Sequence, residues 1–148
     1  SAGLLHAIRL SRWAGHRTLA EPLLSVLHLG YAFLPLGAVA LAVSISMPSL
    51  LDMATAQHLW MTGAVGLMTL AVMTRATLGH TGQPLTASRA TLLLYGALIV
   101  AVLARVAAGL WPDSSTWTLP LAALGWIGTF GGFAFVYGPL LLRRRPAG

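Results

Sequence analysis

The sequence predicts an all-α protein, a polytopic transmembrane bundle of four spanning helices. Three observations carry that expectation. The chain is 57% hydrophobic with only 8% charged residues, against roughly 25% charged in soluble domains, and its mean hydropathy is +0.79. Its apolar residues fall into four runs, each near the ~20 residues that a bilayer core demands. Its charges sit at or near the ends of those runs: all nine basic residues are arginine, and there are three acidic residues. A soluble chain of 148 residues has too few charges to cover so much apolar surface.

The same composition excludes several classes of function. The net charge of +6 is concentrated at helix ends and not along a stripe, which reads as membrane topology and not as a nucleic-acid surface. With no cysteine, there is no disulfide, no thiolate metal site and no Cys-x-x-Cys-His haem attachment. No carboxylate lies inside an apolar run, so the pairs needed for hydrolysis or phosphoryl transfer are lacking. The chain opens on Ser1 without a signal-peptide cleavage pattern. The reading is of a fragment of a longer chain, with further helices ahead of it.

Residues 1–21 form a basic segment in which Arg9, Arg12 and Arg17 alternate with Leu4, Leu5, Ile8, Leu10 and Trp13. It is either an interfacial amphipathic helix or the cytoplasmic end of a preceding span. The four-helix region covers 22–142. Its first span runs over 22–44, with Pro22 in the first turn and Pro35 interrupting the hydrogen-bond ladder near Tyr31. The second runs over 56–78 and is closed by Gly79 as the helix-ending residue. The third runs over 88–110 and the fourth over 117–142, with Pro120 in its first turn. A basic tail, 143–148, carries Arg143, Arg144 and Arg145.

Arginine placement orients the bundle. The N-terminal segment, the connection holding Arg75 and Arg89, and the tail are basic, whereas the other two connections hold only Asp52 and Asp113. By the positive-inside rule both ends of this chain face the cytoplasm. Packing signals accompany this pattern: Gly128 and Gly132 in small-xxx-small spacing, and Thr55, Thr62 and Thr69 at heptad intervals with Gly66 nearby. Small residues let backbones approach and threonine hydrogen-bonds across helices.

Polar groups within spans are costly and ask for a reason. Helical rise sorts them into two sets. His58, in the first turn of the second span, and Arg105, near the end of the third, lie at the outer face. His28, Arg75 and His80 lie at the inner face. His58 and Arg105 contain the parts of one end of a haem pocket, since neutral imidazole ligates iron and guanidinium matches a propionate. Alternatively, His58 only caps a helix start while Arg105 snorkels outward or pairs with Asp113. His28, beside Ser25 and Tyr31, reads on its own as a hydrogen-bonded interhelical histidine. Met61 is one helical turn from His58, and thioether with imidazole makes a copper(I) set, although methionine is more often apolar filler. His80 stands in a turn, Gly79-His80-Thr81-Gly82, whose glycines permit positive φ. As continuous helix, the stretch from His58 to His80 spans about 33 Å, so the two do not share one metal ion. His6 and His16 read as surface residues of a basic segment.

The run His58 to Gly82 also carries a resemblance. Thr62-Gly63-Ala64, Gly66, Met68-Thr69-Leu70 and Val72-Met73-Thr74-Arg75-Ala76-Thr77-Leu78-Gly79-His80-Thr81-Gly82 resemble the signature of the NnrS family. Weaker matches are Leu27-His28-Leu29-Gly30-Tyr31 and Tyr137-Gly138-Pro139 with the terminal arginines. The chain departs from the family pattern at Gln83, where an arginine is expected. The family is one of polytopic bacterial inner-membrane proteins that bind haem and copper and belong to the nitric oxide response. The resemblance therefore implies haem and copper as cofactors and nitric oxide as a partner. It raises His58 and His28, with Arg105 from the residue reading, as cofactor-binding residues, and His58 and His80, with Met61 from its helical spacing, as metal ligands. Arg75, Gly79, Thr81 and Gly82 join them as parts of the inner-face site. It leaves open whether nitric oxide is turned over, sensed or guarded against. Two other classes compete with it: a transporter or channel whose path is lined by histidine and arginine, and a structural membrane subunit without cofactor. A haem absorption band separates the first from both.

Overall fold

The computed structural model describes residues 2–13 and 21–142. His16, Arg17 and the basic tail lie outside the described residues. Five helices follow one another: α1 (Ala2–Ser11), α2 (Pro22–Ser46), α3 (Met53–His80), α4 (Arg89–Leu110) and α5 (Ser115–Leu142). Among the described residues there is no strand. The last four helices are long and apolar enough to cross a membrane, so the predicted bundle is the observed one.

Local chemistry sets the ends. α2 begins at Pro22 behind Glu21, where the missing N–H costs nothing, and continues unbroken through Pro35. α3 starts earlier than expected because the Asp52 carboxylate accepts from the Thr55 amide at 2.9 Å, a side-chain cap that satisfies a free N–H. Ser88 caps α4 in the same way through the Thr91 amide at 3.2 Å.

The end of α3 corrects the expectation for Gly79. The helix runs past that glycine to His80. Among the described glycines only Gly82 has positive φ, at 70°. The Gln83 amide donates to the Leu78 carbonyl at 2.9 Å and the Gly82 amide to the Gly79 carbonyl at 3.3 Å, the paired bonds of a Schellman closure. Gly82 is thus the stop signal, and His80 belongs to the last helical turn instead of a loop.

Half of the apolar window of α3 is buried, against 11% for α5, so α3 is the centre of the bundle. Leu67 and Leu70 on α3 and Leu98 on α4 are fully enclosed. On the α2–α3 seam, Gly37 receives the Trp60 ring and Gly63 the Phe33 ring. Cross-helix hydroxyls tie the other half of the bundle together. Thr74 and Tyr95 share a 2.6 Å hydrogen bond, as do Thr91 and Tyr137, and Thr129 donates to the Leu94 carbonyl at 3.3 Å. Each removes a polar group from an apolar surrounding. On α5 the packing stripe is Gly125 against Ala97 and Ala101, and Gly132 against Leu94; Gly128 faces open space.

α1 runs antiparallel to α2. Gly3 lies against Ala38, His6 against Tyr31 and Trp13 against His28, so the helix climbs along α2 instead of lying across its end.

Candidate functional site

The first eight residues after His58, Leu59–Gly66, form a π-helical stretch within α3. Such turns widen the helix to i→i+5 bonding and concentrate at functional sites. Within this stretch Thr62, four residues after His58, shares its face, as i,i+4 spacing allows. His58 and Thr62 line one cleft with Arg105 of α4, a space of about 450 Å³. Leu119, Trp126 and Ile127 of α5 supply its apolar wall, and three alanines, Ala101, Ala122 and Ala123, keep the two helices from filling it. Met61 is 59% exposed and lies outside that lining.

The imidazole of His58 is oriented by its own helix. Nδ1 lies 2.8 Å from the Ala54 carbonyl oxygen, and a carbonyl only accepts, so Nδ1 carries the proton. In the singly protonated ring this leaves Nε2 as the free nitrogen, the arrangement usual for metal-ligating histidine. Arg105 is half-buried and, among the described residues, is the only charged side chain lining the cleft. Its charge is felt by Asp52, whose carboxyl is held below the usual carboxylate range. The main cause is the Thr55 hydroxyl, then the Thr55 amide, with a smaller contribution from Arg105.

This geometry fits one end of a haem. It offers one imidazole nitrogen that could bind iron, one cation for a propionate and apolar side chains on the facing wall. Copper finds no equivalent set: among the described residues no three histidine, cysteine, aspartate or glutamate side chains stand together.

The inner-face residues are placed separately. His28 donates through Nδ1 to the Leu24 carbonyl at 2.9 Å and meets the edge of Trp13 with ring centroids 5.6 Å apart. Arg75 and His80 lie exposed on the last turns of α3, and Thr81 closes that helix by donating its hydroxyl to the Thr77 carbonyl at 2.7 Å. His6 differs from its expectation as a surface residue: Nδ1 is 2.8 Å from the Tyr31 hydroxyl. The antiparallel docking of α1 makes that contact, and no local signal announces it. The cleft residues that sequence reasoning missed are Thr62, Leu119, Trp126 and Ile127. Trp126 had a signal of its own, as a tryptophan far from either end of its span.

A bundle of four apolar spanning helices with a histidine–arginine cleft between the second, third and fourth defines a polytopic membrane protein with a candidate cofactor site. The chain belongs to the NnrS family: the family model described as NnrS protein matches residues 1–145. Comparison with curated proteins and with solved structures returned no match.

Proposed function

We propose that this chain is an integral membrane protein that holds a haem in the His58–Arg105 cleft and acts in the response to nitric oxide. Family membership supports the setting. The observation that carries the cofactor is the convergence of a fixed imidazole and a half-buried guanidinium on one apolar cleft. His58 would ligate the iron through Nε2, and Arg105 would pair with a propionate. Bound haem supplies an iron centre at which a diatomic ligand can bind. In the bilayer the apolar Trp126, Ile127 and Leu119 would meet lipid and keep water from that face, which would strengthen the arginine–carboxylate attraction. The Ala54 carbonyl keeps the imidazole in the ligating tautomer. The arginine asymmetry supports a bacterial inner-membrane setting with both ends of the chain cytoplasmic.

The test is an absorption spectrum of the full-length protein purified from membranes. A Soret band that shifts with nitric oxide is expected, lost in His58→Ala and reduced in Arg105→Leu. An unchanged band in His58→Ala would remove the assignment. Solute transport that survives complete haem removal would favour a transport path through the cleft.

A further inference from the structure

A second concavity lies on α1, at the arginine-bearing end of the bundle. Leu5, Ile8, Arg9, Arg12 and Trp13 line a groove of about 320 Å³. Leu5, Ile8 and Arg9 share one face of α1, and the turn that follows the helix adds Arg12 and Trp13. The groove is held in place by the docking of α1 on α2, through Gly3 against Ala38 and the His6–Tyr31 hydrogen bond of 2.8 Å. Trp13 adds a ring contact to Tyr31 at 4.6 Å.

The two ends of the groove differ in chemistry. Leu5 and Ile8 are 70% and 50% exposed, and they lie toward Pro35 and Ala38, deeper along α2. Arg9 and Arg12 lie at the other end, toward His28. The Arg9 guanidinium sits 5.7 Å over the Trp13 ring, which restrains it at the mouth. Among the described residues no carboxylate lines the groove, so its two guanidinium groups have no acidic neighbour in the lining. An exposed apolar strip beginning beside a pair of cations and a tryptophan matches a lipid that lies along it with its headgroup at the arginines.

We infer that this groove binds one anionic glycerophospholipid, with its phosphate between Arg9 and Arg12 and one acyl chain along Leu5 and Ile8. The guanidinium fork matches two phosphate oxygens. A zwitterionic lipid with the same chains presents a phosphate beside its own cation and gains less.

Delipidated full-length protein in detergent is titrated with phosphatidylglycerol, with phosphatidylcholine of identical chains and with inorganic phosphate, and adducts are read by native mass spectrometry. Phosphatidylglycerol is expected to bind about tenfold more tightly than phosphatidylcholine, and Arg9→Gln/Arg12→Gln to lose about tenfold in that affinity, on the scale of basic residues at an anionic surface. Arg89→Gln should leave it unchanged, and inorganic phosphate should not displace the lipid. Photo-crosslinking of wild-type protein, using phosphatidylglycerol with a diazirine in its acyl chain, should label the peptide containing Leu5 and Ile8. Equal binding of the two lipids, full displacement by phosphate, unchanged affinity in the double variant, or labelling confined to other helices would each overturn the site. The crosslink decides the matter if the double variant does not fold.

Discussion

Thr55 stands against Gly109 with no room for a side chain between them: a Cβ on Gly109 would overlap the Thr55 hydroxyl. The same hydroxyl donates to the Asp52 carboxylate, so the contact joins the cap of α3 to the end of α4. It thereby brings His58 and Arg105, which lie one turn further along their helices, to the same cleft. Gly109→Ala should destabilise the protein by about 1–3 kcal/mol, the usual cost of overpacking. Gly96→Ala meets nothing within 4 Å and should be neutral or slightly stabilising. Thermal melts in detergent check both, and equal melting temperatures would show that the seam is not close-packed.

His58 and His80 should behave differently on substitution. His58 lines the cleft, whereas His80 ends α3 at the opposite face. His58→Ala is expected to lose most bound haem, and His80→Ala to retain it while impairing survival under nitric oxide. Haem-to-protein ratios together with growth under nitric oxide separate the two; parallel loss of haem in both variants would speak against separate sites.

Asp52→Ala removes the α3 cap and should cost about 1 kcal/mol at neutral pH. The Thr55 hydroxyl and amide lower the pKa of this carboxyl in the folded protein. Its contribution is therefore fully present above the ordinary carboxylate value, ~3.9, and is lost as pH falls through the lowered folded value. Melting temperatures from neutral to strongly acid pH should show the wild-type advantage shrinking only at the acid end. A gap that stays constant throughout would rule out the charged cap.

Gly82→Ala should destabilise by about 1–2 kcal/mol, because a Cβ is disfavoured at positive φ. Gly79→Ala should be neutral or stabilising, since Gly79 is inside the helix and alanine is the better helix former. Its nearest neighbour for an added Cβ is Leu85 at 3.9 Å. Comparable losses in both variants would restore Gly79 as the terminator.

Reporter fusions after Pro48 and after Asp113 should report the periplasm, and one after Gln83 the cytoplasm. A periplasmic signal at Gln83 would reverse the orientation proposed from the arginines.

The number, length and order of the spanning helices were legible in the chain alone. Burial of ~20 apolar residues per span and the exclusion of charge from hydrocarbon are local, additive effects, visible without knowing any neighbour. The cap at Asp52 is also a local signal, but it was not used in placing the second span, which is why that span was expected three residues late. The cleft was half legible. His58 and Arg105 stood out because charge and imidazole are costly inside apolar runs, but their wall residues are ordinary apolar side chains that only packing selects. Tertiary structure also decided that Thr62 and not Met61 lines the cleft: both are within one turn of His58, and only the packing of the neighbouring helices selects between them. It decided that His6 meets Tyr31, because antiparallel docking of α1 joins residues with no local relation. Membrane insertion is a property of each segment, whereas a site is a property of distances between segments, and those are set by which small residues let two helices close.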